Sequence, residues 1–98
     1  MYKLIYLQKA LDDLDELHLH ISQDNIKAAK DMIDRILSSI ERLALFPFSG
    51  APVRDKLGAE KDYRMLVVKP YLVFYRVEGN NVYINRVLHG KRYYPALL

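Results

Sequence analysis

The chain is 98 residues long, 51% hydrophobic and 28% charged, with no cysteine. Only one core fits in that length, so residues 1–98 form a single domain; the apolar fraction excludes a disordered chain, and the missing cysteine excludes disulfide staples and thiolate metal sites. The net charge of +3 is uneven, with a balance of −2 over residues 1–45 and +5 over residues 46–98, and no acidic residue follows Glu78. A basic half suggests a polyanionic or acidic partner, although solvated surface charge accounts for it equally well.

Tyr2 to Leu7 is short, aromatic and aliphatic, and predicts a strand buried on both faces for part of its length. Within it, Leu4 to Leu7 is too short for a signal-peptide core, and Gln8-Lys9 closes it. From Gln8 the period changes: Leu11, Leu14, His18 and Ile21 recur at helical spacing, with Asp12, Asp13, Asp15 and Glu16 between them. This predicts an amphipathic helix with its acids towards the positive end of the dipole. Ser22-Gln23-Asp24-Asn25 interrupts with capping residues. A second helix follows, its apolar stripe formed by Ile26, Ala29, Ile33, Ile36/Leu37, Ile40 and Leu43/Ala44. It ends before Pro47, since proline cannot continue a helix.

After a connector to about Asp62, three strands are predicted: Tyr63 to Val68, Tyr71 to Glu78 and Val82 to Leu88. Lys69-Pro70 turns the chain once and Gly79-Asn80-Asn81 again, the latter a hairpin signal. Such short connections impose antiparallel pairing. Met65 to Val77, the longest mostly apolar stretch, contains Lys69, Pro70 and Arg76, whereas a membrane span needs about 20 apolar residues. The expected fold is α+β: strand, two-helix hairpin, then three-stranded antiparallel meander, in two layers, with one sheet face or a groove at its edge left for function. A cytoplasmic protein without a membrane partner is expected.

Little points to cofactor or metal chemistry. His18 and His20 lie two apart on a helix and cannot chelate one ion; His18 is expected at the helix boundary and His20 in solvent. There is no phosphate-binding loop, dinucleotide fingerprint or nucleophile elbow, and no cofactor is expected. The eight tyrosines, with Phe74, give the sheet an aromatic surface beside Arg64, Arg76 and Arg86. Such a surface can stack on bases and grip phosphates, or anchor a protein, although alternation buries about half of it. The densest cluster is His89-Gly90-Lys91-Arg92-Tyr93-Tyr94 at the end of the last strand. An imidazole, two cations and two phenols could serve in-line RNA cleavage, form a basic docking tip, or be a charged strand end without a function.

Arg64-Met65-Leu66-Val67-Val68, then Tyr71-Leu72-Val73-Phe74-Tyr75-Arg76-Val77, then Val82-Tyr83-Ile84-Asn85-Arg86-Val87-Leu88-His89-Gly90-Lys91-Arg92 resembles the RelE/ParE toxin superfamily. Leu45-Phe46-Pro47 followed by Gly50 is similar too, and the resemblance spans nearly the whole chain. It implies a RelE/ParE-like toxin domain, the growth-inhibiting half of a bacterial type II toxin–antitoxin module, often plasmid-stabilising. A partly disordered cognate antitoxin would wrap it. ParE-like members act on DNA gyrase; RelE-like and YoeB-like members cut mRNA on the ribosome without a metal.

The residues lean towards ParE. Leu72 stands where RelE-like toxins commonly have arginine after the tyrosine, the C-terminal Pro95-Ala96-Leu97-Leu98 lacks their tyrosine, and Gly90 follows His89 where YoeB-like toxins end in His-Tyr. Under the nuclease alternative Arg64 and Arg92 would clamp phosphate, and His89 or Tyr93 would move the proton. Arg76, Arg86, Lys91 and Tyr94 are the expected residues for binding target or antitoxin. A toxin retaining only antitoxin binding is a third reading, and the resemblance leaves room for a homodimer.

Overall fold

A computed structural model describes residues 1–53 and 63–91. The elements are β1 (Lys3–Tyr6), α1 (Gln8–Ser22), α2 (Ile26–Glu41) with a 3₁₀ turn at Arg42–Ala44, β2 (Ala51–Pro52), β3 (Tyr63–Val68), β4 (Tyr71–Glu78) and β5 (Asn81–His89). They build one five-stranded sheet in the order β1-β5-β4-β3-β2. β1 runs parallel to β5, with Lys3 opposite Asn81 and Tyr6 opposite Ile84, and every other pair is antiparallel. The predicted order of elements and α+β class hold. Two features are additions: β2, too short for any periodicity, and the edge position of β1, which is half-buried rather than buried on both faces.

The turns are where the composition puts them. Asn25 caps α2, its side-chain oxygen accepting the Ala28 N–H at 2.9 Å. Gly79 has φ of 58°, which opens the β4–β5 hairpin as the first central residue of a type II′ turn does. The α1 stripe, however, is rotated from the predicted one. Ala10, Asp13, Leu14 and Leu17 are buried, while Leu11 and His18 are exposed. None of the acids lies in the first turn, so the dipole does not explain them. On α2, Ala29, Met32, Ile36 and Ile40 are buried and Ile26 is exposed.

The helices pack on Val68, Tyr71, Val73, Tyr75, Val82, Ile84 and Val87, forming one core. The other face is not bare. Phe74 and Leu88, alternating with these residues, are almost wholly buried as well, as is Tyr63. A bulge disturbs β5: Phe74 faces Arg86 and Tyr75 faces Ile84, so Asn85 is the extra residue and the alternation switches there. Val82 and Ile84 share the core side as expected, but Arg86 leaves it and Val87 takes its place.

Asp13 is the one charged residue buried among those described. Its carboxylate takes Arg86 in a two-pronged pair, Nε to Oδ2 at 2.8 Å and Nη2 to Oδ1 at 2.9 Å, and Oδ2 also accepts the Val87 N–H at 2.9 Å. Those hydrogen bonds outweigh burial and raise the guanidinium above its ordinary value. The chain after α2 is fixed differently. Gly50 N–H donates to the buried Tyr75 hydroxyl at 2.9 Å, and Arg64 Nη1 donates to the carbonyls of Phe48 (3.2 Å) and Gly50 (2.8 Å). A Cβ at Gly50 would stand 2.6 Å from that hydroxyl and 2.9 Å from the Met65 carbonyl.

Two stability outcomes follow, both readable by urea denaturation. Asp13→Ala should cost about 3–5 kcal/mol, because it removes the buried carboxylate that pairs with Arg86 and accepts from Val87. Asp13→Leu with Arg86→Met should recover part of that and remain about 1–3 kcal/mol below wild type, since Val87 N–H still lacks its acceptor. Gly50→Ala should lose about 1–3 kcal/mol by overpacking. Adding Tyr75→Phe should not restore it, because the ring carbon and the Met65 carbonyl still obstruct.

Candidate functional site

The end of β5 is built by pairing and by one turn. His89 lies opposite Tyr71 across the ladder, and Gly90 N–H donates to the Pro70 carbonyl at 2.9 Å, which seats the strand end on the β3–β4 turn. The His89 ring meets Tyr71 edge-on, with centroids 5.4 Å apart and planes at 78°. Its Nδ1 accepts the Lys91 N–H at 3.1 Å. The neutral ring therefore carries its proton on Nε2. Lys91 is exposed. Burial pushes the Tyr71 phenol above its usual 10.0, so it stays neutral as a donor.

Beside this tip lies a cleft of about 360 Å³ lined by Asp13, Glu16, Leu17, His20, Tyr71, Val87 and His89. His20 is exposed, as expected, but the packing of α1 on β5 brings it to the same cleft as His89. Their separation in sequence hides that juxtaposition. Among the described residues no three His, Asp or Glu side chains are grouped to hold a metal ion, and no helix is long and apolar enough to cross a membrane.

The predicted site residues are dispersed. Arg64 and His89 do not converge. Tyr75, the partner of Arg64, and Tyr71, the partner of His89, are four residues apart on β4, about 13 Å along the strand with two strand spacings of about 5 Å added across it. Arg64 also points to the post-helix chain, its guanidinium 5.0 Å from the Phe48 ring centroid. Arg76 lies over Tyr83 at 4.6 Å and pairs with Glu78 at 3.2 Å. Arg86 is held by Asp13 as part of the scaffold. Arg92, Tyr93 and Tyr94 lie outside the described residues.

Sequence reasoning missed a patch. Leu45, Phe46 and Phe48 are 61%, 63% and 58% exposed around the buried Pro47. The Arg64 and Tyr75 hydrogen bonds hold this segment, so the two aromatic rings are presented from an anchored loop. The available signal was three large apolar residues just past a helix end; the prolines drew attention to helix termination instead.

Comparison with known proteins gives consistent results. The family model for the ParE toxin of the type II toxin–antitoxin system parDE matches residues 4–94. Toxin ParE3 of Caulobacter vibrioides is 33% identical over 99 residues, covering all of this chain and 96% of that one. A relative from Sinorhizobium fredii is 35% identical over 90 residues, 92% of this chain and 90% of its own. The solved chromosomal ParDE system of P. aeruginosa shares the fold, with a TM-score of 0.74 at 22% identity over 91% of this chain and 96% of that one. With a family match over nearly all of its length, the chain belongs to the ParE toxins of type II toxin–antitoxin systems.

Proposed function

We propose that the chain inhibits bacterial growth by binding DNA gyrase, through the His89–Lys91 tip, and that a cognate antitoxin protein neutralises it. The observation carrying the choice of target is the separation of Arg64 from His89, together with the commitment of Arg64 to two backbone carbonyls. In-line RNA cleavage needs a phosphate clamp and a proton acceptor on one scissile group, within hydrogen-bond reach of it. A docking surface has no such requirement: an exposed lysine beside an oriented imidazole suffices to fix a partner's acidic or hydroxyl groups. This favours gyrase binding over metal-independent mRNA cleavage on the ribosome.

The antitoxin would cover the apolar patch. Leu45, Phe46 and Phe48 are the large exposed side chains that a segment folding on binding can bury, and aromatic anchors on a fixed loop are the usual centres of binding energy. Arg64, its guanidinium 5.0 Å from the Phe48 ring centroid, favours an acidic residue in the covering segment. Growth inhibition would then be released whenever the antitoxin is lost, which is how such a pair stabilises a plasmid.

The decisive assay is gyrase supercoiling with the purified chain. Inhibition with trapped gyrase–DNA complexes is expected, and His89→Ala with Lys91→Ala should abolish it while the thermal melt stays within a few degrees of wild type. Unaffected gyrase, with codon-phased mRNA breaks on expression, would replace this reading with the nuclease one. For the partner surface, Phe46→Ser with Phe48→Ser should weaken antitoxin binding by at least about 30-fold in calorimetry, from two truncations of above 1 kcal/mol each.

A further inference from the structure

A second concave surface lies away from the tip. Asp34, Arg35, Ser38, Ser39 and Arg42 of α2 and its 3₁₀ extension form one wall, and Val67, Val68 and Lys69 the other, around about 880 Å³. Its electrostatics are one-sided. Among the described residues the Arg35 side chain donates only to the Met32 sulfur at 3.9 Å, and the Arg42 side chain only to the Ser39 hydroxyl at 3.2 Å. Among the described residues neither guanidinium, nor the Lys69 ammonium, has a carboxylate within 4.0 Å. Asp34 is the acid in the wall, and Lys30 engages it at 2.8 Å. Arg35, Arg42 and Lys69 are all exposed.

The spacing is regular. Arg35, Ser38, Ser39 and Arg42 stand at i, i+3, i+4 and i+7 and share one helix face. The two arginines are about 10.5 Å apart along the axis at 1.5 Å per residue. Two cations so spaced can each meet a phosphate of one strand, which carries one charge for every 3.4 Å or so of duplex axis. Between the cations are two hydroxyls, which also donate to phosphate oxygens. Among the described lining residues there is no Asn or Gln to read adenine edges.

From this we infer that the groove between α2 and the β3–β4 turn binds the phosphodiester backbone of duplex DNA, without sequence preference. An acidic protein segment is the competing occupant. It is disfavoured because Val67, at 53%, is the exposed apolar anchor within the groove, whereas the large exposed anchors are at Leu45, Phe46 and Phe48. If gyrase is the target, the DNA is the duplex that gyrase holds, and the toxin touches enzyme and DNA together. That last statement rests on the proposed target; the groove does not.

The test is fluorescence anisotropy of a labelled 20-base-pair duplex with the purified chain over 25–200 mM KCl. Removing two phosphate contacts should flatten the slope of log affinity against log salt by about 1.8, so Arg35→Gln with Arg42→Gln should show that change, and Lys69→Gln about 0.9. Lys3→Gln with Lys9→Gln removes the same charge at exposed sites outside the groove and should leave the slope within about 0.3 of wild type. Equal flattening by the control pair would mean diffuse charge attraction and would sink the proposal. So would a 20-residue oligoglutamate that binds as tightly as DNA and depends equally on Arg35 and Arg42. An RNA duplex of the same sequence binding tenfold more tightly than DNA would also overturn it. Because the readout is free of gyrase, a failed supercoiling assay with the expected slopes would reject the target and keep the groove.

Discussion

The buried carboxylate of Asp13 solves a problem that the sheet creates. β1 pairs with β5 only as far as Ile84, and past that point the outer edge of β5 faces α1 instead of a strand. An unpaired N–H there would be a buried donor without a partner. Asp13 supplies the acceptor to Val87 and, with the same oxygen, holds Arg86. One side chain therefore joins the helical hairpin to the sheet, satisfies the strand edge and balances a half-buried cation. The bulge at Asn85 is part of the arrangement: it changes the side of Val87 just where the strand passes from β1 to α1. The tip begins two residues later, so its position depends on this join.

The described arginines of the basic half serve mainly as hydrogen-bond donors. Arg64 satisfies two loop carbonyls, Arg76 spans Tyr83, Glu78 and Asn85, and Arg86 holds Asp13. A guanidinium with five donors suits such positions better than an ammonium does. A charge balance counted along the sequence is consequently a poor map of the field outside the protein. Among the described residues, the cations that reach solvent without a carboxylate include two on the formally acidic half, Arg35 and Arg42, which the count along the chain conceals.

The strands and their turns were legible because their signals are local: Lys69-Pro70, Gly79-Asn80 and runs of β-branched and aromatic residues. The capping of α2 by Asn25 was legible for the same reason. The stripe of α1 was not, because an aspartate was counted as polar surface. Its burial makes sense only beside Arg86, more than seventy residues away in sequence. β2 is invisible to any pattern because it has two residues and exists through pairing with Arg64 and Met65. Among site residues, the density of imidazole, cations and phenols located the strand-end cluster, yet the distance between Arg64 and His89 follows from which residues of β4 they face, and register is not written in composition.

The parallel pairing of β1 with β5 also governs when the domain can close. These strands lie near opposite ends of the described fold, and β5 occupies the slot between β1 and β4. A chain emerging from the ribosome presents β1, both helices and β3–β4 before that slot can be filled, and its core still lacks the wholly buried Val82 and Ile84. Joining segments so distant in sequence is slow compared with forming helices or hairpins. The tip at His89–Lys91 is on the strand that arrives last. The same topology that places the tip at a sheet end thus postpones its assembly until β5 has entered between β1 and β4.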